Sequence, residues 1–325
     1  MILAGDIGGT NTRLAIFKME EARFQAVSSA IFPSREHGSL EEIVANFISS
    51  EEWPIDRASF GIAGPIKNGR CEATNLAWTI DSRQLAAELK INKVVLINDL
   101  EANAFGIAEL EPADFVVLNQ GIPDAAGNAA IISAGTGLGE AGLFWDGKRH
   151  RPFACEGGHT DLAPRNELEM DLLRYLLTKF GRVSYERAVS GPGLVNIYEF
   201  LRDTGRERES PRIAEEMQQQ SQAQVISKAA IDGSCPLSML ALDLMISLYG
   251  AEAGNLALKI LSTGGLFVGG GIAPKILPKL TGPLFMDAFV TKGRMSPLLK
   301  AMPVRIILND KTALLGAARR AVDET

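Results

Sequence analysis

Two stretches of the chain repeat one pattern: an apolar run, a glycine-rich turn and a second apolar run. Residues 4–17 read AGDIGGTNTRLAIF and residues 131–144 read IISAGTGLGEAGLF, and a gapless alignment places Gly8 on Gly135. Each stretch is typical of a β-hairpin whose turn exposes backbone N–H groups, and such turns bind anions. The repeat predicts two related units with both turns facing one anion, although a chance match between two hairpins stays open as the alternative.

Apolar runs of strand length alternate with helical patterns, which predicts a mixed α/β fold with an antiparallel hairpin at its start. Strands are predicted at residues 1–7, 13–19, 24–32, 59–63, 94–97, 129–133, 140–145, 266–268 and 304–308. Helix N-caps are predicted at Ser39, Asp81 and Asn166, since Glu or Gln follows each of them three residues later. A last helix is predicted over residues 312–322.

Composition argues against some classes of protein. The chain has 325 residues and a net charge of −6, so we expect no nucleic-acid partner held by bulk electrostatics. Cys71, Cys155 and Cys235 are far apart and form no CxxC pair. They are therefore interpreted as reduced thiols of a cytoplasmic protein. The first residues lack the charged and apolar regions of a signal peptide, so we expect none.

The most apolar long stretch spans residues 236–262. It contains Asp243, Glu252, Asn255 and Lys259. A membrane span seldom carries four such groups. The stretch therefore predicts a long, largely buried helix, and we expect no membrane association.

Standard phosphate-binding and catalytic motifs are missing from the sequence. There is no G-x-x-x-x-G-K-[ST], which excludes a P-loop protein. GTGLGE places Glu140, and GGGIAP places Pro274, where the third glycine of a dinucleotide fingerprint belongs. No protein-kinase H-R-D and no G-x-S-x-G nucleophile elbow is found. The glycine turns must therefore serve another kind of anion site.

Asp6 stands beside the first glycine turn and argues for a metal ion. An aspartate would repel phosphate unless a cation lay between them, and Mg²⁺ prefers one or two carboxylates with waters and phosphate oxygens. The second hairpin has Ser133 at the matching position, so only the first would serve the metal. Thr10, Asn11 and Thr136 can donate hydrogen bonds to phosphate. The alternative is that Asp6 only caps a turn.

Five motifs carry a resemblance to a known family. GDIGGTNTRL, LINDLEANAFG, ISAGTGLGEAG, EGGHTD and FVGGGIAPK occur in the order seen in bacterial glucokinases of the actin-like ATPase and hexokinase superfamily. The resemblance covers nearly the whole chain and is closest to the branch without zinc. It implies a two-domain, ribonuclease H-like α/β fold, with mixed sheets and flanking helices around a central cleft. It also implies ATP and Mg²⁺ as cofactors, glucose as substrate and a homodimer.

The resemblance further implies that the final helix returns to the N-terminal domain. We therefore expect a small domain of residues 1–109 plus 301–325 and a large domain of residues 110–300. The implied nucleotide-binding residues are Gly5, Asp6, Ile7, Gly8, Gly9, Thr10, Asn11, Gly135, Thr136, Gly137, Gly269, Gly270 and Gly271. Asp6 would hold Mg²⁺ through water.

One departure separates the chain from the related sugar kinases and repressors of the ROK type. Those proteins carry a cysteine-rich zinc motif soon after a similar E-x-G-H, whereas no cysteine follows His159 in EGGHTDLAPRNELEMD. The repressors also have a helix-turn-helix before the first phosphate strand, and only two residues precede Leu3 here. We therefore expect neither zinc nor DNA binding.

Asn98 and Asp99 end an apolar strand, where ligands of open α/β sheets commonly bind. The resemblance implies that Asp99 is the catalytic base on the 6-hydroxyl of the sugar and that Asn98 holds a neighbouring hydroxyl. The residues alone leave open that Asp99 is only the N-cap of the next helix.

Glu156, His159 and Glu186 match the other sugar-binding residues of the family. The residues alone leave alternatives open for each. Glu156 and His159 could ligate a metal with Cys155 and Asp161, or His159 could lie in a hydrogen-bonded turn. Glu186 could be a solvated helix residue.

The resulting expectation is an ATP-dependent glucokinase that yields glucose 6-phosphate and ADP at the start of glycolysis. Positioning of the 6-hydroxyl supplies most of the rate, and the two domains would close only around bound sugar, which excludes water as an acceptor. Another hexose kinase, for mannose, fructose or an N-acetylated sugar, is the alternative. A sugar sensor without activity is disfavoured by Asp6 and Asp99, and an actin-like filament ATPase would leave EGGH unexplained.

Overall fold

The computed structural model describes residues 1–21, 23–49, 54–73 and 76–323, and the chain divides into two compact units. The first comprises Met1–Asp114, Arg151–Ala154 and Asn309–Thr325, and the second comprises Phe115–His150 and Cys155–Leu308. These bounds differ from the predicted 1–109 plus 301–325 and 110–300. The main reason is the strand Val304–Ile307, which is hydrogen-bonded within the sheet of the second unit.

The secondary structure follows the predicted alternation. The strands are β1 Ile2–Ile7, β2 Asn11–Glu20, β3 Arg23–Pro33, β4 Arg57–Ile62, β5 Ile66–Lys67, β6 Arg70–Glu72, β7 Thr79–Asp81, β8 Lys93–Asn98, β9 Phe115–Asn119, β10 Ala129–Ala134, β11 Leu138–Trp145, β12 His150–Cys155, β13 Gly265–Gly269 and β14 Val304–Ile307. The helices are α1 Leu40–Ile48, α2 Ser82–Leu89, α3 Asp99–Gly106, α4 Glu167–Phe180, α5 Gly191–Asp203, α6 Pro211–Gln219, α7 Gln222–Ile231, α8 Pro236–Ile260, α9 Leu277–Leu280, α10 Pro283–Val290, α11 Ser296–Ala301 and α12 Thr312–Val322.

Side-chain caps fix the start of three helices at the predicted residues. Ser39 accepts a hydrogen bond from the Glu42 N–H, and Asn166 accepts one from the Glu169 N–H. Asp81 caps α2 in the same way. Each cap satisfies backbone donors that the first helical turn leaves free. The predicted helix starts are therefore confirmed.

Helix α8 lies in the core of the second unit. It is long and apolar enough to cross a membrane by length and composition, yet 72% of its most apolar window is buried inside the protein. The prediction of a buried helix is confirmed. Its buried Glu252 is hydrogen-bonded to Asn255 and Lys259 of the same helix.

The two large sheets have the same internal topology. Their strand orders are β3-β2-β1-β4-β8 and β12-β11-β10-β13-β14-β9. In each unit an antiparallel hairpin is followed by two parallel strands, β4 and β8 in the first and β13 and β14 in the second. This confirms both the internal repeat and the actin-like α/β fold class.

The two hairpins nevertheless differ by one residue. Asp6 pairs with Arg13 in the first hairpin, whereas Ser133 pairs with Gly139 in the second. The gapless alignment required Glu140 in that place, so it is wrong beyond the turn. The reason is length: four residues separate the last pair of the first hairpin and three separate that of the second.

Candidate active site

The first glycine turn, residues 8–11, is held in place by Ser34, the residue directly after β3. The Gly8 N–H donates to the Asn11 carbonyl at 3.0 Å, and the Ser34 hydroxyl donates to the Gly8 carbonyl at 2.7 Å. The Ser34 N–H donates to the Thr10 carbonyl at 2.9 Å. Thr10 and Asn11 are exposed. The turn is therefore held in shape while its side chains stay available for a ligand.

Asp6 lies in β1, directly before this turn, and faces Arg13 on β2. Within the described residues, no group donates a hydrogen bond to its carboxylate. Burial raises the pKa of Asp6 to about 6, the charge of Asp99 raises it further and Arg13 lowers it. A turn cap would be hydrogen-bonded, so the capping alternative fails. A buried carboxylate facing a second carboxylate suits a cation.

Two predicted nucleotide-binding residues, Gly5 and Ile7, lie in the interior of the first sheet. Both are buried in β1. A Cβ on Gly5 would come 2.5 Å from Cδ1 of Phe60 on β4. Gly5 therefore allows close packing of β1 against β4. Any contact of Gly5 with a nucleotide, as the family resemblance implies, would be made by its main chain.

Asn98 and Asp99 lie at the same edge of the sheet as Asp6. The register pairs Ile7 with Ile62 and Ile62 with Asn98, so β1, β4 and β8 end side by side. Ligand sites of open α/β sheets are found at this carboxyl edge. The structure therefore brings Asp6, at the end of one apolar strand, to the same sheet edge as Asn98 and Asp99, at the end of another.

The N-cap of α3 is Asn98. Its Oδ1 accepts hydrogen bonds from the N–H groups of Leu100 and Glu101 at 2.9 and 3.4 Å, and its Nδ2 donates to the Gly64 carbonyl at 3.3 Å. Asp99 is the first helical residue. The alternative that Asp99 is the N-cap is therefore wrong, because its neighbour fills that role. One N–H of the Asn98 amide remains for a ligand.

The second glycine turn, residues 135–137, is held from two sides. The Gly135 N–H donates to the Gly137 carbonyl at 2.8 Å, and the Gly191 N–H donates to the Gly135 carbonyl at 2.9 Å. The buried Tyr249 hydroxyl accepts from the Ala134 N–H and donates to the Ile132 carbonyl, both at 3.2 Å. A Cβ on Gly135 would meet open space. The turn is preformed and leaves room over Gly135.

The third glycine run, Gly269 to Gly271, follows β13 beside the second turn. Gly269 pairs with Ser133, and a Cβ there would lie 2.6 Å from the Ser133 Oγ. Gly270 has a φ of 84°, which favours glycine. Gly271 faces open space. Two glycine turns thus adjoin at the carboxyl edge of the second sheet, beside the buried Ser133 Oγ, which has no hydrogen-bond partner among the described residues.

His159 and Glu186 come together next to the second turn. Their Nδ1 and Oε1 atoms are 4.0 Å apart, and the side chains are 57% and 27% exposed. Oε2 of Glu186 accepts a hydrogen bond from the Leu138 N–H at 3.0 Å. Glu156 starts the short helix Gly157–His159, and its carbonyl accepts from the His159 N–H. These side chains offer carboxylate and imidazole groups suited to sugar hydroxyls.

The metal alternative for this cluster finds no support in the structure. In the ranges that the structure describes, no group of three or more His, Cys, Asp or Glu side chains could hold a metal ion. Asp161 is paired with Arg182 at 2.7 Å. The solvated-helix alternative for Glu186 also fails, because the carboxylate is bound to the β11 main chain.

Sequence analysis missed a buried acid beneath these residues. Glu140 on β11 is 1% exposed, and Glu252 on α8 is fully buried. Burial and the nearby charge of Glu252 raise the pKa of Glu140 to about 8, against a lowering effect of Lys259. Oε1 of Glu140 is buried and has no hydrogen-bond partner among the described residues. The available signal was a charged residue within the apolar strand LGEAGLFW.

Comparison with known proteins identifies relatives over the whole chain. The sequence model of the family described as "Glucokinase" matches residues 3–324. A glucokinase from Nostoc sp. is 46% identical over 98% of this chain and 98% of its own. The crystal structure of glucokinase from an Antarctic psychrotroph matches with a TM-score of 0.85 at 32% identity, covering 98% of both chains. The glucokinase from Balamuthia mandrillaris in complex with glucose matches with a TM-score of 0.81 at 22% identity, covering 99% of this chain and 93% of its own.

Proposed function

The chain belongs to the glucokinase family, and we propose that Asp99 is the base for transfer of the γ-phosphoryl group of ATP to the 6-hydroxyl of glucose. The activity is that of the family, an enzyme that phosphorylates glucose. The observation that carries the assignment of Asp99 is its position at the shared edge of β1, β4 and β8, one residue after the true helix cap.

Three side chains near the second glycine turn contact glucose in this proposal. Glu156, His159 and Glu186 present acceptors and a donor, as a neutral, hydroxyl-covered ligand requires. Asn98 is proposed to hold a neighbouring hydroxyl through the amide N–H that is not donated to the Gly64 carbonyl. Support comes from the proximity of the His159 and Glu186 side chains, whose Nδ1 and Oε1 atoms are 4.0 Å apart, and from the partial exposure of both.

The glycine turns bind the nucleotide in this proposal. In this proposal the N–H groups of Gly9, Thr10, Thr136 and Gly137 face phosphate, since those of Gly8 and Gly135 donate to carbonyls within the turns. The run Gly269 to Gly271 leaves space for the flat adenosine. Asp6 is the residue that would hold Mg²⁺, through water. Its fit rests on a buried carboxylate that accepts no hydrogen bond from the described residues and faces Asp99. When bound, the ion neutralises charge on the phosphate oxygens.

The protein's own groups then have defined roles in the reaction. Asp99 orients the 6-hydroxyl towards the γ-phosphorus and accepts its proton as the new O–P bond forms and the bond to ADP breaks. Turn N–H groups stabilise the charge that develops on the transferred group. ADP leaves with the bonding electron pair, and glucose 6-phosphate carries the phosphoryl group.

The proposal places the protein in the cytoplasm. The three cysteines Cys71, Cys155 and Cys235 are free thiols, which supports a reducing, cytoplasmic compartment. Family membership supports a homodimer and a role at the first step of glycolysis, without nucleic-acid or membrane partners.

The acceptor preference tests the proposed reaction. We expect glucose to give a kcat/KM at least about tenfold above those of mannose and fructose, because each misplaced hydroxyl leaves a buried polar group without a partner. A coupled ADP assay over these hexoses and N-acetylglucosamine measures the preference, with ATP alone as the control. A higher kcat/KM for any other sugar would assign a different hexose kinase, and ATP hydrolysis without sugar would argue against acceptor phosphorylation.

Gly137→Ala tests the position of Glu186. The new Cβ would collide with Oε2 of Glu186, the far end of a flexible side chain, which would have to give up its hydrogen bond from the Leu138 N–H in order to move. The fold should therefore survive while Glu186 shifts, and we expect the KM for glucose to rise about tenfold, as for loss of one charged hydrogen bond. Gly135→Ala is the matched control, because its Cβ meets open space.

The two variants separate the roles of the turn. Gly135→Ala should leave the KM for glucose within about threefold and raise the KM for ATP, since its methyl group would crowd phosphate. Equal effects of both variants on the KM for glucose would contradict the proposed role of Glu186.

A further inference from the structure

Two of the proposed glucose ligands, His159 and Glu186, are joined through the main chain of Tyr185. The Tyr185 N–H donates a hydrogen bond to the carbonyl of Thr160, the residue after His159, at 3.0 Å. Glu186 is the residue after Tyr185, and its Oε1 lies 4.0 Å from Nδ1 of His159. The position of Tyr185 therefore determines where the backbone of both ligands lies.

The side chain of Tyr185 is held by helix α8. Tyr185 is 2% exposed, and its hydroxyl accepts a hydrogen bond from Asn255 Nδ2 at 3.1 Å. The same amide nitrogen donates to Glu252 Oε2 at 2.8 Å. An amide nitrogen has two protons, and both therefore have acceptors. One of these acceptors belongs to the direct neighbour of a proposed glucose ligand.

Lys292 determines which way the Asn255 amide faces. Its Nζ donates hydrogen bonds to Asn255 Oδ1 at 2.5 Å and to the Ala251 carbonyl at 2.8 Å. An ammonium group has donors only, so it requires the oxygen of the amide on its own side. A reversed amide would place two donors against Lys292 and an oxygen against the Glu252 carboxyl group. The amide nitrogen is therefore fixed in the direction of Tyr185.

A glycine in α8 gives Lys292 access to this amide. A Cβ on Gly254 would lie 2.8 Å from Cε of Lys292, so the lysine stem crosses the helix where there is no side chain. Burial lowers the pKa of Lys292 to about 8, which shows that the charged amine is partly removed from water. An apolar side chain of similar length would fill the space without this cost. The amine therefore contributes its two hydrogen bonds rather than its volume.

We propose that Lys292 and Asn255 are positioning residues that hold Tyr185 in place for glucose binding. The inference rests on the proposed glucose-binding roles of Glu186 and His159. Without a partner for the Tyr185 hydroxyl, both ligands would adopt several positions, and glucose binding would have to order them at a cost in affinity. The proposed base lies on a different element, α3, so kcat at saturating glucose should change little.

Tyr185→Phe tests this inference with the smallest change. The variant loses the hydroxyl group and keeps the buried ring, so the fold should survive. We expect the KM for glucose to rise about fivefold, as for loss of one hydrogen bond between neutral groups. The kcat and the KM for ATP should change by less than about twofold. A KM for glucose within about twofold of wild type would overturn the inference.

Tyr198→Phe is the matched control. Tyr198 is 1% exposed, and its hydroxyl has no hydrogen-bond partner among the described residues. Removal of this hydroxyl should therefore leave every kinetic constant within about twofold of wild type. A merely structural role of the Tyr185 hydroxyl would lower the unfolding temperature of Tyr185→Phe and leave its KM for glucose unchanged. An equal rise of that KM in both variants would also overturn the inference.

Lys292→Met tests the other end of the chain of bonds, at pH 7, where the amine of the wild type is mostly charged. Methionine keeps most of the stem and loses the amine, so the Asn255 amide can turn, and the KM for glucose should rise about tenfold. Adding Tyr185→Phe should raise it no further, because the hydroxyl has already lost its fixed donor. An unchanged KM in Lys292→Met, or effects that multiply in the double variant, would overturn the inference. If thermal unfolding shows that Lys292→Met is not folded, the two tyrosine variants decide.

Calorimetry of glucose binding without ATP gives a readout that is independent of catalysis. The Kd for glucose should rise about fivefold in Tyr185→Phe and stay within about twofold of wild type in Tyr198→Phe. A wild-type Kd in Tyr185→Phe counts against the inference alone. A wild-type protein that neither binds nor phosphorylates glucose would instead count against the proposed function.

Discussion

Replacing Asp99 with Asn should lower kcat by about 10²–10⁴-fold while changing glucose affinity by about tenfold or less. The amide has the size of the carboxyl group and can still hydrogen-bond the sugar, but it cannot take the proton of the 6-hydroxyl. The structure strengthens this test. Asn98 caps α3, so the substitution leaves the helix start intact and a loss of activity cannot be explained by loss of a cap.

Glu101→Gln is the matched control for Asp99→Asn. Glu101 lies in the first turn of the same helix, and burial raises its pKa as well. The change from carboxyl to amide is the same, but Glu101 has no proposed contact with substrate, so kcat should stay within about threefold of wild type. Steady-state kinetics and glucose calorimetry on both variants make the comparison. Retention of more than about a tenth of wild-type kcat by Asp99→Asn would show that Asp99 is not the base.

The sequence was informative where local chemistry determines structure. The caps Ser39, Asp81 and Asn166 each accept a hydrogen bond from a backbone N–H three residues later in the chain. Such local contacts can be predicted without tertiary information. The hairpins were predictable because a glycine turn between two apolar runs of strand length is compatible with few structures other than a β-hairpin. The last helix, α12, has the predicted bounds for the same reason, since its apolar face repeats along the sequence.

The strands that the sequence analysis missed are those with weak patterns. β9 and β12 are the two edges of the six-stranded sheet, where exposed positions interrupt the apolar run. β5, β6 and β7 have two or three residues each. The one-residue difference between the hairpins was hidden because both turns contain glycines that align in more than one register.

The sequence predicted the residues of the candidate site but not the buried acids that lie beneath them. Motifs single out Asp6, Asp99 and the glycine turns because they lie in short, unusual contexts. Glu140 and Glu252 are more than a hundred positions apart, and although each lies in an apolar stretch, the sequence does not show that the two acids are neighbours in the core. Burial and pairing of charges depend on packing, which no local pattern encodes.

The Mg²⁺ proposal predicts that Asp6→Asn loses activity while the fold gains stability. Without the carboxylate we expect kcat at saturating Mg²⁺ to fall by about 10²–10³-fold, the usual effect of removing one group that stabilises transferred charge. A chelator should abolish turnover of the wild type, and added Mg²⁺ should restore it. Asn keeps the size and shape of Asp, so packing around β1 is unchanged.

The stability of Asp6→Asn distinguishes a metal-binding role from a structural one. Burial raises the pKa of Asp6 from 3.8 to about 6 in the folded protein. Between these two pH values the carboxyl group is ionised in the unfolded chain but still protonated in the folded one. The free energy of unfolding therefore falls as the pH rises through this interval. Above pH 6 the full effect is present, and two pKa units correspond to up to about 3 kcal/mol. In metal-free buffer at pH 8, urea unfolding should therefore show the variant to be as stable as wild type or more so. If Asp6 only capped the turn, the opposite would be expected. The Asp6→Asn variant would stay active, and its stability to urea would not exceed that of wild type. If Asp6→Asn is more stable than wild type and inactive, the carboxylate of Asp6 binds the cation and does not stabilise the fold.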